Sequence, residues 1–277
     1  YHTFSPGELT ATNESFTPIK LNNVLALENA LYIQNEQKFS EVFSIQYGLR
    51  YSFFNYMGNN DSIKTFNDDG IQTDINYFER HKTAKFYGGF EPRLAAKYML
   101  DESSSVKLSY NRNYQYIHLL SNTTAASPTD SWVPSSLNIK PQIIDQISIG
   151  YFKNFKKNTY EFSVETYYKN LQNQIDYRDG AELFLNGDVE EELAYGRGIA
   201  YGAEFYLKKN KGKFTGWLSY TYSRSLRKFD KINNGEFYPA RQDLIHDISV
   251  VGIYKINEKW TASASWVYTT GIAVTFP

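Results

Sequence analysis

Charged side chains that could bind or conduct a polar ligand recur at every second position in several segments of the chain. At that spacing, side chains point to the same side of an extended strand, so each segment presents a charged face. If such strands form a barrel around water, the charged face lines the lumen. The candidates for this wall are Glu91, Arg93, Glu165, Glu204, Arg227, Arg241, Asp243 and Asp247. They serve cross-strand pairing or solvation in one interpretation and ligand contact in the other.

Five aromatic and arginine residues are candidates for ligand recognition. They flank or occupy long connections between the extended segments, and connections often carry binding residues. Tyr, Trp and Arg also dominate the energetics of binding surfaces. We therefore expect these residues to contact a small ligand: Trp132, Tyr177, Arg178, Tyr195 and Arg197.

The sequence contains no residue pattern that is typical of a catalytic site or a metal site. Cysteine is absent, which excludes a thiol nucleophile and a disulfide framework, and the four histidines form no i,i+4 ligand pair. The acidic runs Asp68–Gly70 and Gly187–Glu192 lack the spacing of a calcium loop. Ser223 and Ser225 lie outside any Gly-x-Ser-x-Gly motif. We therefore predict no catalytic residue, no metal site and no cofactor, and expect that the protein is not an enzyme.

Composition limits the class of protein that can position these residues. The 277 residues include 29 Lys and Arg against 30 Asp and Glu, a net charge of −1, which gives no basic surface for nucleic acid. Mean hydropathy is −0.52, and no apolar run reaches the roughly 18 residues of a transmembrane helix. The strands of a membrane barrel escape such a search because their apolar and polar residues alternate.

Alternation with a period of two runs through long segments of the chain. In the segment 41–54 the apolar side chains that share one face are Phe43, Ile45, Tyr47, Leu49, Tyr51 and Phe53. Such runs are longer than the five to six residues, roughly, of an ordinary globular strand, and about 10 tilted residues cross a bilayer. The pattern therefore predicts an all-β protein, an antiparallel transmembrane β-barrel. A soluble β-sandwich also alternates and is the alternative.

Ten strands are predicted, and their connections alternate between short and long. The predicted strands are 22–36, 40–56, 83–100, 104–117, 140–155, 158–177, 197–209, 213–228, 242–255 and 258–270. The long connections are 57–82, 118–139, 178–196 and 229–241. Because outer-membrane barrels have short periplasmic turns and long outer loops, both chain ends are expected on the extracellular side. We therefore expect residues 1–277 to form part of one outer-membrane barrel, open as given, without a plug and without the remaining strands.

A series of short motifs resembles the barrel of TonB-dependent receptors, particularly those of Bacteroidetes-type bacteria. Each motif is weak alone, and their order along nearly the whole chain carries the resemblance. The matching stretches are Glu28–Glu36, Gly48–Tyr51, Phe90–Leu94, Lys140–Gln142, Tyr167–Asn170, Gly198–Glu204, Leu218–Ser223 and Trp266–Gly271. One departure is Ile245-His246-Asp247, where the family usually has Arg-His-Asp.

The resemblance implies a receptor and transporter barrel in the outer membrane of a Gram-negative bacterium. It implies energy-coupled uptake of a scarce nutrient such as a siderophore, a cofactor or an oligomer. The implied partners are outer-membrane lipid, the plug domain of the same protein, a TonB-type energy-coupling protein and a small nutrient ligand, with no nucleic acid. The alternatives are a passive outer-membrane porin or adhesin barrel and, less favoured, a soluble β-rich binding domain.

Overall fold

The structure is a computed structural model that describes residues 1–4, 8–9, 19–20, 23–120, 131–181 and 188–271. One residue of the acidic runs considered above, Gly187, lies outside these ranges. No helix in the described part of the chain is long and apolar enough to cross a membrane. The only helical segments among these residues are two short 3-10 helices, Val189–Glu192 and Asn233–Gly235.

Extended strands make up nearly all of the regular structure in the described ranges. In chain order they are β1 (His2–Phe4), β2 (Glu8–Leu9), β3 (Ile19–Lys20), β4 (Val24–Lys38), β5 (Phe43–Met57), β6 (Asp61–Phe66), β7 (Gln72–Phe78), β8 (Thr83–Asp101), β9 (Ser104–Gln115), β10 (Ile117–Leu120), β11 (Ser131–Pro134), β12 (Gln142–Phe155), β13 (Tyr160–Tyr177), β14 (Leu193–Lys209), β15 (Phe214–Phe229), β16 (Tyr238–Pro239), β17 (His246–Lys255) and β18 (Thr261–Thr269).

The long strands form one antiparallel sheet in which neighbours in sequence are neighbours in space. The sheet has 12 strands in the order β1-β4-β5-β8-β9-β12-β13-β14-β15-β17-β18, with β16 paired to β15. Without the short β1 and β16, ten long strands remain, as the alternation predicted. The first and last of these strands, β4 and β18, do not pair with each other, so the sheet is open. The all-β, antiparallel, partial-barrel prediction is confirmed.

Two predicted strand starts are wrong by four residues. Strand β14 starts at Leu193 rather than at residue 197, because the pairing with β13 continues out to Tyr177 and Leu193. Strand β17 starts at His246 rather than at residue 242. The preceding segment bonds differently, because the Ser225 amide donates to the Asp243 side chain at 2.6 Å instead of to a neighbouring strand.

Short and long connections alternate as expected. The tight joints include one between β12 and β13 in which three consecutive residues, Lys156 to Asn158, have positive φ. The long connections at the opposite edge carry structure of their own, which the alternation did not predict. They hold the hairpins β6–β7 and β10–β11, both 3-10 helices and β16.

Pairing register divides the sheet into an apolar face and a polar face, because directly opposed residues stand on the same side. We define the apolar face by successive cross-strand rows of Tyr, Phe, Ile, Leu and Val. One such row is Tyr98, Val106, Tyr151, Val164, Phe205, Tyr220, Ile248 and Tyr268. The polar face is defined by rows such as Lys107, Gly150, Glu165, Glu204, Thr221 and Asp247.

Aromatic rows bound the apolar face at both ends of the strands. Toward the long connections, one row holds Tyr47, Leu94, Tyr110, Ile147, Tyr168 and Tyr201. Toward the tight turns, another row holds Phe155, Tyr160 and Lys209. Eight residues separate Tyr168 from Tyr160, which is roughly 26 Å along a strand. At a strand tilt near 45° the two rows are roughly 19 Å apart along the membrane normal. This distance is close to the apolar band of about 25 Å in outer-membrane barrels.

Two clusters of buried residues lie at the long-connection end of the strands, and the first of them is on the polar face. Phe54 and Ala26 are fully buried there, and the ring of Phe54 stacks on Tyr116 with centroids 5.2 Å apart. A second cluster joins Leu120, Ile139, Ile175 and Leu193. The outer connections are therefore packed onto the ends of the strands, and they enclose the cavity described next.

Candidate functional site

A cavity of about 400 Å³ opens on the polar face at its long-connection end. Its wall combines the outer parts of β12, β13 and β15 with the hairpin strand β10 and the segment around β16. The side chains that line it are Gln115, His118, Leu119, Leu120, Gln142, Ile144, Leu171, Gln174, Ile175, Asp176, Tyr177, Arg227, Tyr238, Ala240, Arg241 and Gln242. Its volume is that of a small-molecule site.

Asp176 accepts hydrogen bonds from two other side chains of the cavity wall. The Arg227 Nη1 donates to the Asp176 carboxylate at 3.1 Å, and the Tyr238 hydroxyl donates to the same oxygen at 3.2 Å. Burial, followed by the nearby negative charge of Asp176, raises the pKa of Tyr238, so its hydroxyl remains a hydrogen-bond donor. These contacts hold the Arg227 guanidinium at the cavity wall.

A β-bulge in β13 puts Asp176 on the cavity side. Leu171 is opposite Gly198, whereas Gln174 is opposite Gly196, so β13 has one extra residue between these pairs. Asn173 absorbs the bulge with a φ of 54°, and its side-chain amide donates to the Pro141 carbonyl at 2.8 Å. Because the extra residue reverses the alternation, even-numbered Gln174 and Asp176 share the polar face with odd-numbered Leu171.

His118 is the most buried titratable side chain in the cavity wall, with a relative exposure of 1%. Its Nε2 lies 3.1 Å from the Ser135 hydroxyl, while Nδ1 has no hydrogen-bond partner among the described residues. Burial lowers the pKa of His118 to about 4, so the ring is neutral at physiological pH. It therefore adds hydrogen-bonding capacity to the wall without adding charge.

The remaining polar groups of the wall suit a ligand rich in hydrogen-bonding oxygen atoms. The four glutamines, Gln115, Gln142, Gln174 and Gln242, can each donate and accept. Arg227 and Arg241 supply planar donors that match carboxylate or phosphate geometry. No group of three or more His, Cys, Asp or Glu able to hold a metal ion occurs in the described ranges.

Three of the residues singled out from the sequence meet in this cavity, namely Tyr177, Arg227 and Arg241. Asp243 lies next to them but is almost fully buried, and it is held by Arg224 at 3.2 Å and by the Ser225 amide. Its contacts are structural. Asp247 stands on the polar face opposite Thr221, in the same cross-strand row as Glu204.

The other predicted wall residues lie on the polar face but outside the cavity. Glu91 is 2% exposed and accepts a hydrogen bond from Ser52 at 2.5 Å, with Arg50 at 3.8 Å. Arg93 donates to Asn113 at 3.3 Å. The register also places two like charges, Glu165 and Glu204, directly opposite each other.

The predicted recognition residues separate into different surroundings. Arg178 has a structural role, since it donates to the Leu193 carbonyl at 3.1 Å and to the Asp68 carbonyl at 3.0 Å. Tyr195 lies in β14, where it packs against the cluster around Ile139. Trp132 is largely exposed on β11. Arg197 is directly opposite Lys228. Both side chains are on the same side of the sheet as the apolar face, so Arg197 points away from the cavity.

A polar junction ties three outer connections together beside the cavity. The Asn138 amide donates to the Lys64 carbonyl at 3.0 Å, and its side-chain oxygen accepts from the Phe66 amide at 3.0 Å. Asn138 also donates to the Glu190 carboxylate, and Lys64 forms an ion pair with Asp188. Burial raises the pKa of Glu190, and the hydrogen bond from Asn138 opposes that shift.

Sequence reasoning missed Asp176, Tyr238, His118 and the cavity glutamines. Asp176 stands next to the predicted Tyr177, but simple alternation assigns it to the wrong face because the bulge is not visible in the sequence. The contribution of β10 and β16 comes from connections whose path no periodicity specifies. The signal that was available is the long length of these connections.

Comparison with known proteins gives one family and a set of shared folds. The family model described as TonB dependent receptor-like, β-barrel, matches residues 2–275. No curated protein matches the chain in the sequence search.

Several solved receptors and transporters are similar in structure. The ferric-catecholate import receptor Fiu from E. coli K12 has a TM-score of 0.58 at 16% identity, over 88% of this chain and 34% of that one. The FrpB iron transporter from Neisseria meningitidis has a TM-score of 0.58 at 12% identity, over 90% and 33%. The copper transporter OprC has a TM-score of 0.58 at 14% identity, over 92% and 36%. The chain thus spans about a third of the length of these structures, and the identities show a common fold alone.

Proposed function

The chain belongs to the TonB-dependent receptor β-barrel family of the Gram-negative outer membrane, and from this premise we propose that it forms part of a barrel for energy-coupled uptake of a scarce nutrient. The family consists of receptors and transporters rather than enzymes, which confirms the expectation of a non-enzyme. The polar cavity at the long-connection end carries the proposal, because it offers a ligand a binding site at the outer entrance of the lumen.

The proposed orientation follows from the two faces of the sheet. The apolar face contacts lipid, because a charged side chain near the bilayer midplane costs roughly 2–4 kcal/mol and the central rows of this face carry none. The polar face lines the lumen. Arg93, Glu165 and Glu204 then form part of the water-filled wall, and the plug domain of the intact protein faces them, while Glu91 is buried beneath that wall.

The proposed ligand is a small polar nutrient that presents carboxylate, carbonyl or hydroxyl oxygens to the cavity. The Arg227 and Arg241 guanidinium groups and the glutamine amides bind such oxygens, while Tyr177 and Leu171 provide apolar contact. Fiu imports ferric-catecholate and OprC transports copper, so the shared fold serves different cargoes and does not select one for this chain. The proposed partners are the plug and a TonB-type energy-coupling protein.

Uptake by the full-length protein tests this proposal. Cells expressing it are supplied with radiolabelled iron as a ferric-catecholate complex, or with radiolabelled copper, before and after dissipation of the proton-motive force. The expected result is accumulation of one probe that stops on uncoupling. Accumulation at an unchanged rate after uncoupling contradicts energy coupling and favours the passive porin.

The cavity is tested separately by Arg227→Gln. Loss of a charge-assisted hydrogen bond of about 1.5–3 kcal/mol weakens ligand binding roughly 10- to 100-fold. The matched control is Lys169→Gln, which removes the same charge from the polar face outside the cavity. Equal affinities for Arg227→Gln and the unmodified protein contradict the assignment of this cavity even where uptake is energy-coupled.

A further inference from the structure

Two cations, Arg197 and Lys228, stand directly opposite each other on the apolar-face side of β14 and β15, beyond the outer aromatic row. We propose that this pair binds the phosphate of a phosphorylated lipid in the outer leaflet of the outer membrane. The inference uses the outer-membrane location of the family and the lipid-facing orientation of the apolar face. It does not depend on which nutrient, if any, the cavity binds.

The direction in which the two side chains point follows from their neighbours. Gly196 and Gly198, which flank Arg197 in sequence, are on the cavity side, where an added Cβ at Gly196 would meet the ring of buried Phe229. Arg197 and Lys228 alternate with these residues and therefore point to the opposite side. Arg197 is exposed there.

The height of the pair matches that of lipid headgroups. Arg197 is four residues outward from Tyr201, which belongs to the outer aromatic row, and this is roughly 13 Å along the strand. At a strand tilt near 45° the pair lies about 9 Å above that row along the membrane normal. Aromatic rows mark the boundary of the hydrocarbon, so the cations are at the level of the phosphate groups.

The charges of the pair are not neutralised by any acidic side chain that the structure describes. Two other arginines on the same face each have an acid: Arg112 is 2.7 Å from Asp145, and Arg224 is 3.2 Å from Asp243. Within the described ranges no acidic side chain pairs with Arg197 or Lys228. Like charges directly opposite each other on a sheet repel, so the arrangement is favourable when an anion lies between them.

The two side chains have complementary binding chemistry. A guanidinium binds two phosphate oxygens at once, whereas an ammonium acts as a point charge. The Lys228 ammonium lies 5.7 Å from the ring centre of Phe237, which restrains it without neutralising it. Phe237 is itself exposed, so it adds an aromatic contact at the same level.

The test measures retained lipid on the full-length protein. The protein is purified from outer membranes in mild detergent, incubated with lipid A or with dephosphorylated lipid A, and examined by native mass spectrometry. The unmodified protein is expected to retain lipid A and not the dephosphorylated form. Arg197→Gln and Lys228→Gln are each expected to reduce retention about fivefold, the effect of one charge near an anionic lipid surface. Arg197→Lys is expected to keep most of the binding.

Two further variants make the result decisive. Arg197→Glu creates an opposite-charge pair with Lys228, so it is expected to abolish lipid A retention while heat-modifiable mobility stays that of a folded barrel. The control Lys169→Gln with Lys208→Gln removes two charges from the polar face instead. Equal retention of both lipid forms, or equal loss in the polar-face control, overturns the proposal. Unchanged retention in Arg197→Glu overturns it as well.

Discussion

Protonation of His118 couples the cavity to pH. The ordinary pKa of 6.5 falls to about 4 in the folded protein because the ring is buried. Between these values the unfolded state binds more protons than the folded state, so stability rises with pH in this window. The packing of the β10–β11 hairpin is therefore expected to be full above pH 6.5 and to weaken progressively toward pH 4. A shift of this size corresponds to about 3 kcal/mol as an upper value.

The measurement is limited proteolysis of the folded full-length protein at pH values from 7 to 4, with cleavage mapped in the connection between β9 and β12. Cleavage there is expected to accelerate as the pH falls. His118→Asn keeps a polar side chain but removes the titration, so its cleavage rate is expected to change much less with pH. The same pH profile in both proteins contradicts a role for His118.

The face to which a side chain points could be predicted from the sequence only where the alternation along a strand is unbroken. Ile199, Tyr201 and Ala203 share a face in the sequence pattern, and Arg197 continues the same alternation. Its place on the apolar-face side could therefore have been derived from the spacing, although the nearby long connection suggested ligand contact. Asp176 could not have been assigned, because its direction depends on the bulge at Asn173.

At the scale of strands, the division into two faces predicts opposite outcomes for the same substitution. Phe205→Arg puts a charge in the central row of the apolar face and is expected to cost roughly 2–4 kcal/mol. Ser219→Arg, on the neighbouring strand, places the same charge on the polar face, opposite Tyr206, and is expected to be nearly neutral. Heat-modifiable mobility and urea unfolding in lipid vesicles measure both. Similar destabilisation of the two variants contradicts the proposed orientation.

Deletion of both bulge residues, Gln172 and Asn173, tests the register that the bulge sets in β13. With the two residues removed, Asp176 moves from the position opposite Ala194 to the position opposite Tyr195, which is off the polar face, and its contacts with Arg227 and Tyr238 break. Ligand binding is expected to fall by about tenfold or more, since a hydrogen-bonded charge pair is lost. Barrel assembly is expected to persist, because the bulge lies outward of the aromatic row that contains Tyr168.

Asn173→Gly is the matched control, since glycine adopts the positive φ of this position and keeps the residue count. It removes only the hydrogen bond to Pro141. Its ligand affinity is expected to stay within a fewfold of the unmodified protein. Equal loss of affinity in the deletion and in the glycine variant shows that the register of β13 does not control the cavity.

The sequence allowed the number and order of the long strands to be predicted because each must keep a lipid-compatible face over its whole length. The hairpins β6–β7 and β10–β11 were not predicted, although all four of their strands are extended. They lie outside the main sheet, so the alternation of its two faces is not imposed on them. Their positions depend instead on contacts between distant connections, which single-segment patterns do not contain.

For the whole molecule, those contacts join the long connections to one another at the outer end of the strands. Lys64, Asn138 and Glu190 come from three different connections and meet at one junction. Lys231, from a fourth connection, donates to the Asp68 carbonyl at 2.8 Å and so reaches the same β6–β7 hairpin. We therefore expect a disturbance at the junction to spread across connections that are far apart in sequence.

Asn138→Ala tests this expectation. The Phe66 amide loses its acceptor and the Glu190 carboxylate loses a donor, each a cost of about 1–3 kcal/mol for a buried group. Deuterium uptake measured by mass spectrometry is expected to rise in the β6–β7 hairpin, in residues 131–139 and in residues 188–192 together, while the long strands stay protected. Asn76→Ala, which removes only an exposed contact with Asp74, is the control and is expected to leave all three segments unchanged.

The pH dependence of this variant follows from Glu190. Its pKa is raised by burial, so between its ordinary value of 4.5 and the raised value the folded state binds more protons than the unfolded state. The stability of the junction therefore decreases as pH rises through this window. Asn138 partly offsets the effect by donating to the carboxylate, and its loss raises the pKa of Glu190 further. The excess deuterium uptake of Asn138→Ala is thus expected to be larger at pH 7 than at pH 4.5. An excess that is equal at both pH values, or confined to residues 131–139, contradicts a shared junction built around a buried carboxylate.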